Sequence, residues 1–146
     1  MIGSHDGDLL GSRVKEFIIS SERVAHVQIG NNLEHTLLVL IKSGYTAIPV
    51  LDPMYKLHGL ISTPTILESI LGLERIEFDA LEQKKVSEVM NKDIPRLNVD
   101  DNLARGLELL IDHPFVCVEN DEGVFEGILT RRVILKKIYK GNTQPK

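Results

Sequence analysis

The sequence contains the stretch Gly59-Leu60-Ile61-Ser62 and, 68 residues later, the similar stretch Gly127-Ile128-Leu129-Thr130. At this offset no gap is needed from Thr46 to Ile70, and apolar residues of the first segment fall on apolar residues of the second. Such a repeat indicates two copies of one small unit that buries too little apolar surface to be stable alone. We expect the copies to pack face to face, with paired clefts between them as candidate ligand sites.

Each quoted stretch ends a predicted β-hairpin. Short apolar runs on both sides of a turn rich in Gly, Pro, Asn or Asp are typical of paired strands. The first hairpin joins Thr46–Leu51 to Leu57–Ser62, and the second joins Phe115–Glu119 to Val124–Thr130. A helix is expected directly after each hairpin, with Thr63 as the N-cap of the first, Pro64 at its first position and Thr130 as the N-cap of the second.

Another helix is predicted before each hairpin, because Asn31-Asn32 and Asp100-Asp101-Asn102 offer good N-cap residues and leucines at helical spacing follow both. Extended segments are expected just before these caps, at Val24–Ile29 and Ile94–Val99. Helical spacing of apolar residues precedes the extended segments, at Val14, Phe17 and Ile18 and again at Val86, Val89 and Met90. The predicted fold class is therefore α+β, with two β-α-β-β-α repeats.

The repeat divides the 146-residue chain into five segments. The expected organisation is a flexible N-terminus at 1–13, a first copy at 14–72, a linker at 73–85, a second copy at 86–140 and a tail at 141–146. Apolar residues make up 42% and charged residues 26%, which is ordinary for a globular protein.

Composition also limits the function classes. The net charge of −4 argues against nonspecific nucleic-acid binding, so no nucleic-acid partner is expected. The single cysteine, Cys117, lies in an apolar run and is expected to be a buried, inert thiol. No apolar run is long enough to span a membrane or resembles a signal peptide, so the expected compartment is the cytoplasm, with no membrane contact.

Two adjacent arginines begin the last predicted helix. Arg131 and Arg132 follow Thr130, where free backbone N–H groups and the positive end of the helix dipole favour an anion. Guanidinium groups suit phosphate, because two of their N–H groups bond two oxygens at once. The alternative is a solvated basic face, because Lys136, Lys137 and Lys140 continue the run. From these residues alone, both interpretations stay open.

The order of elements and several stretches resemble the CBS domain, and two tandem motifs form a CBS pair, or Bateman module. The stretches are Val86–Met90, Ile94–Leu97, Thr46–Val50 and Gly127–Arg132. Arg23–Val27, Gly30–His35, Gly44–Pro53, Gly72–Phe78, Val116–Asp121 and Phe125–Arg132 are further similar to the stand-alone DarB/CbpB type of CBS-pair proteins from Gram-positive bacteria. The resemblance implies two repeats packed with pseudo-twofold symmetry.

The resemblance also implies a function. Proteins of this type are non-enzymatic receptors for cyclic di-AMP, whose ligand state controls binding to a Rel-type (p)ppGpp synthetase/hydrolase. Some members are linked to pyruvate carboxylase, and a homodimer is expected because CBS pairs commonly dimerise. The alternative is a regulatory CBS pair that senses AMP or ADP.

Carried over from the family, the better cleft takes residues from both copies. Arg23, Ala25 and His26, together with Tyr45-Thr46-Ala47, are expected to lie opposite Thr130-Arg131-Arg132. Small residues such as Ala25 and Ala47 leave room for a flat base, although ordinary packing also explains them. The second cleft would use Ser62, Thr63, Arg96 and Phe115, and it should bind more weakly because it lacks the tandem arginines and Phe115 fills the space for a base.

One departure from the superfamily pattern bears on the ligand. Many nucleotide-binding CBS motifs carry an Asp that grips the ribose hydroxyls, and here the position holds Thr65 in one copy and Val133 in the other. This argues against AMP or ATP and suits a nucleotide whose 3′-oxygen is esterified. No cofactor is expected. The five histidines lack metal-ligand spacing, so no metal site is predicted, and no catalytic motif is found.

Overall fold

The computed structural model of the chain describes the backbone of residues 9–143 and the side chains of residues 9–141. The predicted flexible N-terminus and tail therefore fall in part on residues 1–8 and 144–146, outside the described residues. Within the described residues, Leu9 packs against a hydrophobic core and the backbone oxygen of Ser12 accepts a bond of 2.8 Å from Leu103 N. None of the described helices combines the length and the apolarity that crossing a membrane requires.

The described residues include seven strands, five α-helices and three short 3-10 turns with the bounds below, and residues 9–11 are also helical. The strands are β1 (Ile19–Ser20), β2 (Val27–Gln28), β3 (Ala47–Leu51), β4 (Leu57–Ser62), β5 (Arg96–Asn98), β6 (Phe115–Glu119) and β7 (Phe125–Thr130). The helices are α1 (Leu33–Ser43), α2 (Thr63–Ser69), α3 (Ala80–Gln83), α4 (Leu103–Leu110) and α5 (Arg131–Thr143). The 3-10 turns are Val14–Glu16, Ser21–Arg23 and Val86–Glu88.

The chain divides into two compact units that do not follow the boundaries of the two repeat copies. One unit is Ala25–Ile94, and the other contains the described residues up to Val24 together with those from Pro95 onward. We call them the middle unit and the terminal unit.

The middle unit contains a three-stranded sheet in the order β2-β3-β4. Strands β2 and β3 are parallel and connected through α1, whereas β3 and β4 form an antiparallel hairpin in which Ala47 lies opposite Ser62. Asn32 begins α1 by accepting a hydrogen bond from His35 N, and Gly44 ends it in the left-handed conformation. The buried core residues are Val27, Leu33, Leu40, Ile48, Val50, Ile61, Ile66, Ile70 and Val86.

The terminal unit repeats this arrangement and adds one strand. Its sheet has the order β1-β7-β6-β5, with β5 parallel to β6 and β6 antiparallel to β7. Asn102 begins α4 through a bond from Arg105 N, and Phe115 lies opposite Thr130 in the hairpin. The buried core residues are Val14, Phe17, Leu97, Leu103, Leu110, Val116, Val118, Leu129 and Ile134.

The compact units differ from the repeat copies because of the leading segment of each copy. The leading segment consists of the residues before β2 in the first copy and before β5 in the second. Ile19, from the first copy, pairs with Ile128 of the second-copy hairpin. In the same way Asn91, from the second copy, bridges to Leu60 of the first-copy hairpin. Each compact unit therefore contains the hairpin of one copy and the leading segment of the other.

The α+β fold of two β-α-β-β-α copies is confirmed, and so are both hairpins. Three local expectations were wrong or incomplete. Ser62, not Thr63, is the N-cap of α2, because the Ser62 hydroxyl accepts the bond from Thr65 N and Pro64 is the second helical residue. The helical spacing from Val14 to Ile18 and from Val86 to Met90 gives only the 3-10 turns Val14–Glu16 and Val86–Glu88, and strand β1 was not predicted.

Candidate functional site

The site predicted around Thr130 lies where β7 passes directly into α5. The Thr130 hydroxyl accepts a 3.1 Å hydrogen bond from Val133 N, which confirms Thr130 as the helix cap. The backbone N–H of Arg131 donates to Pro114 O at 3.3 Å. Of the first three amides of α5, those of Arg131 and Val133 are therefore already paired.

The two arginines of this turn have different environments. Arg131 Nε donates to Leu110 O at 2.8 Å, and its Nη2 donates to Ile111 O at 3.1 Å. These carbonyls are at the C-terminal end of α4, where a cation is favoured by the helix dipole. Arg131 thus caps α4, which explains its presence without an anion.

Within the part of the chain that the structure describes, Arg132 has no such partner. Among the described residues, no hydrogen bond or ion pair involves its guanidinium, and its backbone N–H has no acceptor there. The side chain is exposed at the edge of an open depression of about 530 Å³ whose lining is Arg131, Arg132, Leu135, Lys136 and Tyr139. Arg132 is therefore the residue of this turn whose donors are available to an anion.

Several predicted base-contacting residues lie in the middle unit. Ala25 is half-buried and packs against the core, two residues before β2. His26 Nε2 lies 3.1 Å from the Tyr55 hydroxyl, and the two rings meet edge to face with centroids 5.2 Å apart. The His26 ring is thus held by the β3–β4 turn, a contact that was not predicted from the sequence.

Tyr45, Thr46 and Ala47 lead into β3. Tyr45 and Thr46 are exposed and Ala47 is half-buried. The Thr46 carbonyl accepts a 3.4 Å bond from Thr63 N, which ties this segment to the start of α2. Arg23 is exposed at the end of the turn Ser21–Arg23, which belongs to the terminal unit. That all nine residues bind one ligand stays a prediction.

The residues of the predicted second cleft are already bonded within their own units. The Ser62 hydroxyl caps α2 and lies 2.9 Å from Thr65 Oγ1. Arg96 Nη1 is 3.2 Å from Glu119 Oε1 in a part-buried ion pair, and Phe115 is half-buried. A phosphate at Arg96 would compete with this carboxylate.

Among the described residues, Asp52 and Cys117 have shifted pKa values. The His58 side chain bonds the Asp52 carboxylate at 2.9 Å and, together with bonds from the backbone N–H groups of Lys56 and Met54, holds the pKa of Asp52 below its usual value. Burial raises the pKa of Cys117 to about 12, so its thiol is protonated and inert. Within the described residues, no group of three or more His, Cys, Asp or Glu side chains is placed to hold a metal ion.

Comparison with known proteins identifies the family to which the chain belongs. The CBS domain family model matches residues 86–140, and a curated relative is 60% identical over 140 residues, which are 96% of this chain and 95% of the relative. The chain therefore belongs to the CBS-domain family. That relative, from Bacillus subtilis (strain 168), is called Cyclic di-AMP receptor B.

Solved structures show the same relationship. A CBS domain-containing protein of unknown function from Bacillus anthracis is 64% identical, with a TM-score of 0.84 over 92% of this chain and 98% of that one. The CbpB protein of Listeria monocytogenes in complex with c-di-AMP is 53% identical, with a TM-score of 0.83 over 90% of this chain and 98% of that one. The chain is thus similar over most of its length to a receptor and to a ligand-bound relative.

Proposed function

We propose that this protein is a non-enzymatic cyclic di-AMP receptor of the cytoplasm, whose ligand state controls binding to a partner enzyme. The observation that carries the proposal is Arg132, a guanidinium in the first turn of α5 with no partner among the described residues. Support also comes from the relative called Cyclic di-AMP receptor B and from the Listeria relative that binds c-di-AMP.

A phosphate of the ligand is expected at the start of α5. The Arg132 side chain and its backbone N–H both offer donors there, and the helix dipole adds a favourable field. Each charge-assisted hydrogen bond to the phosphate contributes about 1.5–3 kcal/mol. Thr130 fixes the first turn, and Arg131 holds it against the end of α4, so the donors of Arg132 are positioned before the ligand arrives.

The first turns of α2 and α5 lack acidic residues, which favours a ligand with a 3′-phosphodiester over a ligand with a free ribose. Neither α2 nor α5 has an acidic residue in its first turn, where Thr65 and Val133 stand. A carboxylate would bond a ribose 2′,3′-diol, but it would repel a phosphate carried on the 3′-oxygen. The proposed ligand carries such a phosphate in each half, whereas AMP and ADP do not.

In the proposed site, small residues accept the adenine base. The side chains of Ala25 and Ala47 are small and leave space for a flat base. Backbone groups next to them are suited to hydrogen-bond the adenine edge. Tyr45 offers an exposed aromatic ring nearby in sequence, and His26 is kept in place by Tyr55. The predicted second site, at Ser62, Thr63, Arg96 and Phe115, is proposed to bind more weakly because Glu119 already pairs with Arg96.

The proposed partner is a Rel-type (p)ppGpp synthetase/hydrolase, with pyruvate carboxylase as a further candidate, and the protein is proposed to act as a homodimer. The family resemblance supports this part of the proposal. Ligand binding changes the partner affinity only by its different affinity for free and partner-bound receptor. Binding of the Rel-type enzyme, measured with and without cyclic di-AMP, should weaken in the presence of the nucleotide.

Calorimetric titration tests the receptor function directly. Cyclic di-AMP should bind wild type, and Arg132→Met should weaken binding at least about tenfold, because a charge-assisted bond is lost. Lys140→Met is the matched control, since it removes the same charge two turns along α5 and should change the affinity less than about threefold. Equal binding to Arg132→Met and wild type, or tighter binding of AMP or ADP than of cyclic di-AMP, would overturn the proposal.

A further inference from the structure

Tyr55, in the turn between β3 and β4, has a backbone conformation that its residue type disfavours. Its φ is 65°, and within the described residues it is the only residue other than glycine with a positive φ. A bulky residue is strained at this φ, because its Cβ crowds the carbonyl oxygen that follows. Such strain persists only where surrounding contacts hold the residue in place.

Bonds to Asp52 hold the turn closed. Tyr55 N donates to Asp52 O at 2.8 Å. One carboxylate oxygen of Asp52 accepts bonds from Met54 N at 2.8 Å and Lys56 N at 3.0 Å. The other carboxylate oxygen lies 2.9 Å from His58 Nε2 on β4. The position of the Tyr55 side chain is therefore defined by the turn itself.

The corresponding turn of the second copy is built in the same way but holds glycine. At the offset of 68 residues, Asn120 replaces Asp52 and Gly123 replaces Tyr55. Gly123 N donates to Asn120 O at 3.0 Å, and the φ of Gly123 is 82°. Glycine adopts this conformation without steric cost. The turn itself therefore does not require a tyrosine, and the contact made by the Tyr55 side chain distinguishes the two turns.

The side chain of Tyr55 contacts His26. Its hydroxyl lies 3.1 Å from His26 Nε2, and the two rings meet edge to face with centroids 5.2 Å apart. His26 lies between Ala25 and strand β2. In the second copy Arg96 occupies the corresponding position and pairs with Glu119. Because glycine has no side chain, the turn of the second copy cannot make a ring contact of this kind.

We propose that Tyr55 is a positioning residue for the adenine base and acts through His26. The inference rests on the proposed receptor function, which assigns Ala25 and His26 to the base. A His26 ring that Tyr55 already holds loses little conformational freedom when the base arrives, so the entropy cost of binding is smaller. The contact also restrains the adjacent backbone of Ala25. The difference between Tyr55 and Gly123 thus favours the site that contains Ala25 over the second site.

Calorimetric titration of cyclic di-AMP tests the role of Tyr55. Tyr55→Gly gives the first turn the residue found in the second, and it should weaken binding about three- to tenfold, because the ligand must then order the His26 ring. Tyr55→Phe keeps the ring contact without the hydroxyl and should weaken binding less. Met54→Ala is the matched control, since it shortens an exposed side chain of the same turn and should change the affinity less than about twofold.

A double-mutant cycle separates positioning through His26 from a general effect on the turn. His26→Ala should retain measurable binding, because the phosphate donors of α5 remain. In that background Tyr55→Gly should change the affinity less than about twofold, because the side chain that Tyr55 positions is already absent. Circular dichroism establishes that each variant is folded under the conditions of the titration.

The outcomes separate this inference from the receptor proposal. Equal affinity of Tyr55→Gly and wild type overturns the inference and leaves the receptor proposal intact. An equal loss of affinity with and without His26 also overturns it, because Tyr55 would then act independently of His26. If wild type does not bind cyclic di-AMP, the receptor proposal fails, and the role of Tyr55 fails with it.

Discussion

The carbonyl oxygen of Asn91 lies against Gly59 at the point where any other residue would carry its Cβ. The two segments are also joined by a pair of backbone bonds, Leu60 N to Asn91 O at 3.0 Å and Asn91 N to Leu60 O at 2.8 Å. The carbonyl oxygen of Ile19 stands in the same relation to Gly127. The glycine of each repeated stretch therefore makes room for the leading segment of the other copy.

Replacing Gly127 should destabilise the fold. In Gly127→Ala the new Cβ would collide with Ile19 O, and the φ of +157° at this position is one that L residues rarely adopt. The expected loss is about 1–3 kcal/mol of unfolding free energy, measured by urea denaturation. Gly30→Ala is the control, since nothing lies within 4 Å of its Cβ, and equal stability of the two variants would contradict the prediction.

Removing the Arg131 side chain should loosen the end of α4. Arg131→Gln loses the bonds to the carbonyls of Leu110 and Ile111, and we expect about 1–2 kcal/mol lower stability and faster amide exchange near the C-terminal end of α4. Arg131→Lys keeps the charge near the helix end and should recover part of the loss. If Arg131→Gln weakens cyclic di-AMP binding at unchanged stability, the capping role is wrong.

Asp52 should make stability depend on acidic pH. Its folded pKa is lowered, first by the bond from His58, so its contribution is complete above the ordinary value of 3.8 and is lost as pH falls through the folded pKa. Wild-type stability should therefore fall more steeply below about pH 4 than that of Asp52→Asn. Denaturant titrations between pH 5 and pH 2 measure this slope. Equal slopes for wild type and Asp52→Asn would contradict the prediction.

Cys117 should react with thiol reagents only after unfolding. Its pKa of about 12 leaves about one thiolate in ten thousand at pH 8, and burial also blocks access. Labelling by Ellman's reagent in native buffer should be at least a hundredfold slower than in denaturant, and it should speed up in Gly127→Ala as the protein opens more often. Rapid native labelling of wild type would show that the thiol is exposed.

Local signals made much of the fold predictable. The side-chain oxygens of Asn32, Asn102 and Thr130 each accept a hydrogen bond from the backbone N–H three residues later, so these caps depend only on neighbouring residues. The error at Thr63 has the same local origin, since Ser62 and Thr63 are adjacent hydroxyl residues that both suit a cap. The hairpins followed from short apolar runs and turn residues, which are again neighbours in sequence.

Tertiary contacts were not predictable in this way. The bonds from Arg131 to Leu110 and Ile111 join residues about twenty positions apart, and the contact between His26 and Tyr55 spans 29 positions. No spacing rule connects such residues. The sequence therefore suggested two equivalent arginines at the start of α5, and the structure separates a helix-capping arginine from one whose donors have no partner in residues 9–141.

The leading segment of each copy pairs with the hairpin of the other copy, and this has a consequence for how the architecture can arise. A chain with only one copy would complete a compact unit only by exchanging its first residues with a second chain, as in domain swapping. Joining two copies in one polypeptide makes that exchange intramolecular and raises the effective concentration of each leading segment near the hairpin that it pairs with. Either copy expressed alone should therefore lack the segment that pairs with its hairpin. When the two copies are mixed, each should supply this segment to the other.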